Sequence, residues 1–524
     1  MSPDQATPAI ELRDCAVVVQ PDDNVAVVKR ELSGGERVRM SDGREIEVTG
    51  PVTPGHRFAT QDVPEGAYLR QYGQPIGTSL GIALGDPVSP ANMSNDVPVV
   101  RELPEDLAND PPVYLPESEI ATFMGFKRPD GRVGTRNWIL IVPTSMCSST
   151  EATQIATLAE FTLWSREQFP NVDGVVAISH ARGCGCQDGS TIDLLLRTLS
   201  NYADHPNVGG AVLIDLGCEK TNLNAVDRHL RRTGGFGYEK PVAWVSIQDS
   251  GGTPAAVQKG LDAVKDMLPK VNSTSRTEQP ASELVLGVKC GSSDGFSGIS
   301  CNPALGRASD QLVRSGGSVI ITEIPEFCGA EHVMAHRARD AKVGRDLYAA
   351  VDWFKDYAGR FGGVLNENPS PGNVRGGLLN IAIKSLGAIA KAGTTRIESI
   401  VSYSEPPQSK GLHVMQGPGY DQESTPGLVG AGANVLVFTT GNGTTIGNAI
   451  CPVIKLSSNT RTFVRMKSDI DLSAGGIIDG TRSIDEVGQD VYEHILKVAS
   501  GTPALAEVNK HREFQVWAEW TVSL

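Results

Sequence analysis

The chain reads as an α/β protein, a small N-terminal all-β module followed by parallel-sheet α/β domains. Three observations predict this. The first stretch, to about residue 95, is made of short alternating runs broken by frequent turn residues. From Trp138 onward, short apolar runs alternate with amphipathic helical patterns. Three of those runs, Val175-Val176-Ala177-Ile178, Ala211-Val212-Leu213-Ile214 and Leu284-Val285-Leu286-Gly287-Val288, lead into glycine turns carrying Cys184, Cys218 and Cys290. Runs this apolar and this short, bounded by turns, are expected of strands buried on both faces of a parallel sheet.

The N-terminal module, residues 1–95, contains Cys15-Ala16-Val17-Val18-Val19-Gln20 and Asn24-Val25-Ala26-Val27-Val28, punctuated by Gly34-Gly35, Asp42-Gly43, Pro54-Gly55 and Glu65-Gly66. Residues 96–120 form a linker rich in Pro and acidic residues, with Leu103-Pro104-Glu105-Asp106 and Asp110-Pro111-Pro112. An α/β domain is expected over 121–272, opened by Trp138-Ile139-Leu140-Ile141-Val142-Pro143 and including a helix over 191–202. After a polar break at 273–280, a second α/β domain runs over 281–524. It has further strands at 318–322 and 434–439 and a helix at 491–499.

Lys+Arg 47 against Asp+Glu 61 gives a net charge of −14 with no basic cluster, which argues against binding a nucleic-acid backbone. An acidic small molecule is still admissible where Arg182, Lys220 or Lys289 supplies a local cation. No segment has the apolar length of a membrane span, and Met1-Ser2-Pro3-Asp4-Gln5 lacks a basic, then apolar, leader. Nine cysteines without a close paired framework point to free thiols in a reducing cytoplasm.

Chemistry concentrates at the ends of the predicted strands, where an open α/β sheet binds its ligands. His180, Arg182, Cys184, Cys186 and Asp188 fall within nine positions, and a histidine in such polar company is a proton-transfer candidate. The single, widely spaced thiols do not make a zinc ribbon but are of the ligand type iron accepts. Cys290-Gly291-Ser292-Ser293-Asp294-Gly295, continuing to Asn302-Pro303, is a Gly/Ser loop suited to a carboxylate or hydroxyls. Thr322-Glu323-Ile324-Pro325-Glu326 adds two carboxylates for metal ligation or proton transfer, and 368–373 and 439–447 are further polar glycine loops.

Taken in order, Gly131-Arg132-Val133-Gly134-Thr135-Arg136-Asn137, His180-Ala181-Arg182-Gly183-Cys184, Gly217-Cys218-Glu219, the loop from Cys290 to Gly298, Thr322–Glu326, Asn368–Asn373 and Thr440-Gly441 resemble the altronate/galactarate dehydratase family. Asp23-Asn24-Val25-Ala26 and Tyr72-Gly73-Gln74-Pro75-Ile76-Gly77 look like the small β-clip (SAF-type) domain that precedes the catalytic part there. The resemblance implies a metal-dependent hydro-lyase, using Fe2+ or alternatively Mn2+, that converts a sugar acid to a 2-keto-3-deoxy acid in hexuronate or aldarate breakdown. For that reaction, residue chemistry suggests His180 for proton transfer with Asp294 or Glu219 as counterpart. Cys184, Cys218 and Cys290 are then metal or near-metal residues, and Arg182, Lys220, Ser292 and Asn302 substrate binders.

Departures bear on the substrate. Val88-Ser89-Pro90-Ala91-Asn92 lacks the two histidines of altronate-type members, whereas the stretch Pro325 to Glu331 looks altronate-like. A Gly-Arg-Gly-Thr-Pro-Tyr-Gly pattern has become Gly441-Asn442-Gly443-Thr444-Thr445-Ile446-Gly447. A lyase acting on another hydroxy acid, such as a sulfonated one, is the alternative reading. A non-catalytic sugar-acid-binding protein is a further one. A homodimer is the default assembly for a soluble chain.

Overall fold

A computed structural model describes residues 8–98, 100–232 and 240–519, so the leader reading at Met1–Gln5 lies outside the described residues. The chain folds as an α/β protein with a β-rich N-terminal region. That region contains three small three-stranded sheets: Ile10–Glu11 with Arg37–Arg39 and Glu45–Glu47, Ala16–Val17 with Val25–Val28 and Arg57–Ala59, and Tyr68–Gln71 with Gln74–Ser79 and Met93–Ser94. Val25 to Val28 are all buried, because both faces of that strand are covered.

The next sheet is parallel, with spatial order Gly174–Ala177, Trp138–Pro143, Val208–Asp215, Val242–Ser246. Side-chain alternation along a strand sorts its two faces. Ile139, Ile141, Val212 and Ile214 pack against helices Ser149–Thr162 and Thr253–Asn272. Leu140, Val142, Ala211 and Leu213 face a core shared with helix Ser190–Asp204 and the C-terminal part of the chain.

A seven-stranded parallel sheet follows, ordered Ile397–Val401, Gly411–Met415, Ser318–Ile321, Val285–Gly291, Val435–Thr440, Val453–Ser457, Leu472–Ser473. Its first strand in sequence, Val285–Gly291, lies centrally. Succeeding strands build first to one side and then, from Val435, to the other. The strand order therefore reverses between Val285–Gly291 and Val435–Thr440, the position where loops diverge and leave a crevice.

The polar stretch read as a break is in part a strand. Thr277–Pro280 pairs antiparallel with Thr122–Lys127, a ladder satisfied by backbone bonds that needs little apolar patterning; only Gln279 of the four residues is buried. The 96–120 linker is tied to the C-terminal domain: Asn109 donates to the carbonyls of His336 and Ala338, and Arg101 pairs with Asp352 and Glu331.

The β module docks backbone to backbone. The platform it meets is made in the C-terminal domain, where the Gly295 amide donates to the Gly376 carbonyl at 2.7 Å. A Cβ added at Gly295 or Gly377 would collide with the Gly55 carbonyl, and one at Gly55 would meet Gly376. Fully buried Arg57 donates to Gln71 and to the Gly377 carbonyl, both at 2.9 Å. Gly295→Ala is expected to force this seam apart at a cost of about 1–3 kcal/mol. Limited proteolysis should show faster cleavage between the module and the rest of the chain than in the wild type; equal cleavage rates would refute the seam's role.

Candidate functional site

Two regions of converging loops stand at the carboxyl ends of the two parallel sheets. In the first, His180 is buried, its Nε2 2.9 Å from the Pro143 carbonyl, while its Nδ1 accepts from the Arg182 amide at 3.2 Å. Burial lowers its pKa from 6.5 to about 4, with Arg182 adding to the effect and the Pro143 bond opposing it. The ring is therefore neutral, and both of its nitrogens are engaged by backbone. Glu219 accepts from the hydroxyls of Thr144 and Ser145, both at 2.9 Å, and from the amides of Leu216 and Gly217. Burial alone would raise its pKa, but these hydrogen bonds bring it below the ordinary carboxylate range. Lys220 clamps the 186–188 turn through the Cys186 carbonyl and Asp188. Cys184 and Cys218 are exposed on the same loops. His180, Arg182, Met146, Ser149, Phe514 and Gln515 are among the residues lining a cavity of about 800 Å³.

The second region lies at the seven-stranded sheet, where Cys290 ends the central strand and Glu323 and Glu326 follow the neighbouring one. Their Sγ and carboxylate oxygens lie within 4.8 Å of one another, and all three residues are buried. No other such group of three His, Cys, Asp or Glu ligands occurs among the described residues. Three ammonium groups surround them. Lys289 contacts Glu323 and, at 2.7 Å, Asp421; Lys391 is 2.9 Å from Glu323 and 3.2 Å from Cys290 Sγ; Lys384 is 2.8 Å from Glu326 and also donates to Asn368. Three cations thus face three carboxylates. Breaking one pair would leave a buried charge uncompensated, which costs about 3–5 kcal/mol.

Burial pushes the Cys290 thiol up to about 12, with Glu323 reinforcing the shift, so it is protonated in this setting. Glu326 is held down at about 2: burial opposes ionisation, but Lys384, Lys289 and Lys391 overcome it. Glu323 moves the other way, raised by burial against the pull of Lys289 and Lys391. Its backbone is left-handed, at φ 74° and ψ 51°, and Ser292 is left-handed too, at φ 52°. Such conformations cost of order 1–3 kcal/mol in a non-glycine residue and cluster at functional sites.

Beside this cluster, at the strand-order reversal, a cavity of about 780 Å³ is lined by Ser292, Asp294, Arg375, Arg461, Arg465 and Asn442, together with Lys29, Thr53 and Pro54 of the β module. The loops at 290–294 and 368–376 each contribute to both the cluster and the cavity. Asp294 is buried and accepts from Ser297, Ser458, Asn459 and the Phe296 amide, an anchoring role; burial raises its pKa against those bonds. Ser292 is exposed to the cavity, and its carbonyl binds the Gly441 and Asn442 amides. Arg465 donates to the Asn442 carbonyl at 2.6 Å, placing a guanidinium beside the altered 441–447 loop. Asn302 is buried in the helix start, bridging Gly387 and Thr439, and does not line the cavity.

Of the residues singled out from sequence, the structure groups Cys290 with Glu323 and Glu326 and places Ser292 and Asp294 at the adjoining cavity. Cys184 and Cys218 belong to no three-ligand group among the described residues. Lys384, Lys391 and Asp421 went unnoticed, although two lysines inside the apolar run Ile381–Ala392, a helix followed by a 3-10 turn too apolar to be exposed, were the available signal.

Profiles of one family match successive parts of the chain: altronate/galactarate dehydratase SAF domain over residues 14–96, D-galactarate dehydratase/altronate hydrolase second domain over 125–272, and D-galactarate/altronate dehydratase C-terminal over 281–522. The chain is 32% identical to altronate dehydratase of Bacillus subtilis (strain 168), over 96% of this chain and 98% of that one. It is 35% identical to galactarate dehydratase (L-threo-forming) of Escherichia coli (strain K12), over 93% and 92%. A (2R)-sulfolactate sulfo-lyase subunit beta of Chromohalobacter salexigens is 31% identical over 75% of this chain and 96% of its own length.

His180 generates a pH prediction. Its folded pKa lies below the unfolded value, so the unfolded chain binds the extra proton; this stability is complete above pH 6.5 and lost as pH falls toward 4. The loss reaches on the order of 3 kcal/mol. Melting temperatures of His180→Asn should fall less steeply than those of the wild type between these pH values, and parallel curves would show that the ring is not held neutral.

Proposed function

We infer that this chain, which belongs to the D-galactarate/altronate dehydratase family, is a carbon–oxygen lyase that removes water from a sugar acid, of altronate or galactarate type, to give a 2-keto-3-deoxy acid in hexuronate or aldarate breakdown. The observation that carries this reading is the cavity at the strand-order reversal, lined by Arg375, Arg461 and Arg465, which form no ion pair among the described residues, and by Ser292, on the loop that leads from Cys290 of the buried Cys290–Glu323–Glu326 group.

A proton α to a carboxylate is only weakly acidic, so the site must neutralise the charge that develops on the carboxylate as the proton leaves. Arg375, Arg461 and Arg465 are positioned for that carboxylate, and Ser292 for a substrate hydroxyl. We assign proton donation to the departing hydroxyl to Lys384: burial disfavours its charge, but Glu326 holds its pKa above the ordinary lysine value, so it stays protonated. It is the least buried of the three lysines and touches Asn368, on the loop whose later residues line the cavity. Lys289, by contrast, has its protons taken up by Glu323, Asp421, Gly419 and Cys290. His180 and Glu219, bound to backbone and loop hydroxyls, are placed to hold the second domain's loops. Asp294 positions the Ser292 loop.

A thiol and two carboxylates within 4.8 Å form a donor set suited to ferrous iron, with manganese as the alternative, and the lysines bound to the carboxylates would orient them. Bound by Cys290, Glu323 and Glu326, such an ion would supply a Lewis acid for the substrate carboxylate. Because the thiol must ionise first, metal uptake should release a proton and weaken as pH falls.

Two comparisons test the assignment. Lys384→Met should lower kcat/KM on the preferred sugar acid by about 10²–10⁴-fold, while His180→Asn lowers it by no more than about tenfold; the reverse ranking would return proton transfer to His180. Cys290→Ser should reduce bound iron, read by elemental analysis of anaerobically loaded protein. Product analysis across altronate, galactarate and (2R)-sulfolactate should show a 2-keto-3-deoxy acid. Sulfite release without it would transfer the assignment to sulfo-lyase chemistry.

A further inference from the structure

We propose that the N-terminal β module forms one wall of the substrate cavity and that its Lys29 binds the second carboxylate of a diacid substrate. This rests on reading the 780 Å³ cavity as the dehydration site.

The cavity wall is continuous across the module boundary: Lys29, Thr53 and Pro54 line it together with Ser292, Asp294 and Arg465. Lys29 is held there by its surroundings. Its amide donates to the Cys15 carbonyl at 2.7 Å, and the preceding Val28 exchanges backbone bonds with Gly55 and His56, the turn seated on Gly295 and Gly376. Val27, one position further back, packs in a small apolar cluster with Phe296 and Ile478, so the strand Val25–Val28 that leads to Lys29 is fixed against the loop that follows Asp294.

Electrostatics give the residue a ligand. The whole chain carries −14, yet Lys29, Arg375, Arg461 and Arg465 converge on this one cavity, and none of the four forms an ion pair within 4 Å among the described residues. Of the lining carboxylates, Asp294 accepts from Ser297, Ser458 and Asn459, and Asp479 accepts from the Thr460 hydroxyl. Lys29 and Arg465 stand beside different parts of the lining. Arg465 is tied to Asn442, whose amide binds the Ser292 carbonyl, whereas the Lys29 ammonium lies 3.9 Å from the position a Cβ would take on Gly480. A monoacid engages one of these cations and leaves the other without a substrate carboxylate. A diacid satisfies both.

The test uses probes that cannot be dehydrated: adipate, a six-carbon diacid without hydroxyls, and hexanoate, its monoacid counterpart, titrated calorimetrically into the full-length protein. Wild type should bind adipate at least about tenfold more tightly than hexanoate. Lys29→Met should remove most of that preference at an unchanged melting temperature, and Lys29→Arg should retain it. A wild type that binds neither probe or does not distinguish them, or a Lys29→Met protein that keeps the preference, overturns the proposal. Because the readout is binding, failure of the turnover panel would count against the proposed reaction and leave this result standing.

Discussion

The charge balance buried along the edge of the seven-stranded sheet is the constraint on which the rest of the site depends. Three buried ammonium groups, two buried carboxylates and the half-buried Asp421 are tolerable together only because each finds an opposite partner at hydrogen-bonding distance. Glu323 receives two of the three lysines, and its left-handed backbone is the geometry that lets one carboxylate reach both and also accept from the Cys290 amide. The partners come from five separate elements, the strand ending at Gly291, the turn after Ile321, the helix Ile381–Ala388, the 3-10 turn Ile389–Ala392 and the helix from Asp421. Fixing the charges therefore fixes the spacing of those elements, and with it the rim on which Ser292 and Asp294 stand.

The two α/β regions use the same device at different scales. In each, a carboxylate after a strand gathers the loop donors around it: Glu219 in the four-stranded sheet and Asp294 in the seven-stranded one. Both are acceptors saturated by neutral donors, which suits an anchor. Glu323 and Glu326 are bound instead by ammonium groups, and that difference in partner chemistry separates the residues that hold loops from the group we propose as the holder of an ion.

Much of the fold was legible because fully buried parallel strands write continuous apolar runs, and the runs from Trp138, Val175, Ala211, Leu284, Ser318 and Asn434 all correspond to strands. Thr277–Pro280 was not legible, since an edge pairing through backbone leaves no apolar signature. At the site, the strand-end position exposed Cys290, Glu323, Ser292 and Asp294. What sequence could not convey was partnership: Lys391 meets Glu323 from far along the chain, and the backbone groups that occupy both nitrogens of His180 are invisible to residue type.

The glycine seam between the β module and the Asp294 loop has a consequence for local stability. With main chain touching main chain, no side chain can swing aside to let the surfaces part gradually, so the module and the loop should open as one cooperative unit. Amide exchange at Gly295 and at Gly55 would then report a single opening event. Any fluctuation that loosened the module would dismantle the cavity rim in the same step, coupling the lifetime of a competent site to the folding free energy of a region far from the Cys290 loop in sequence.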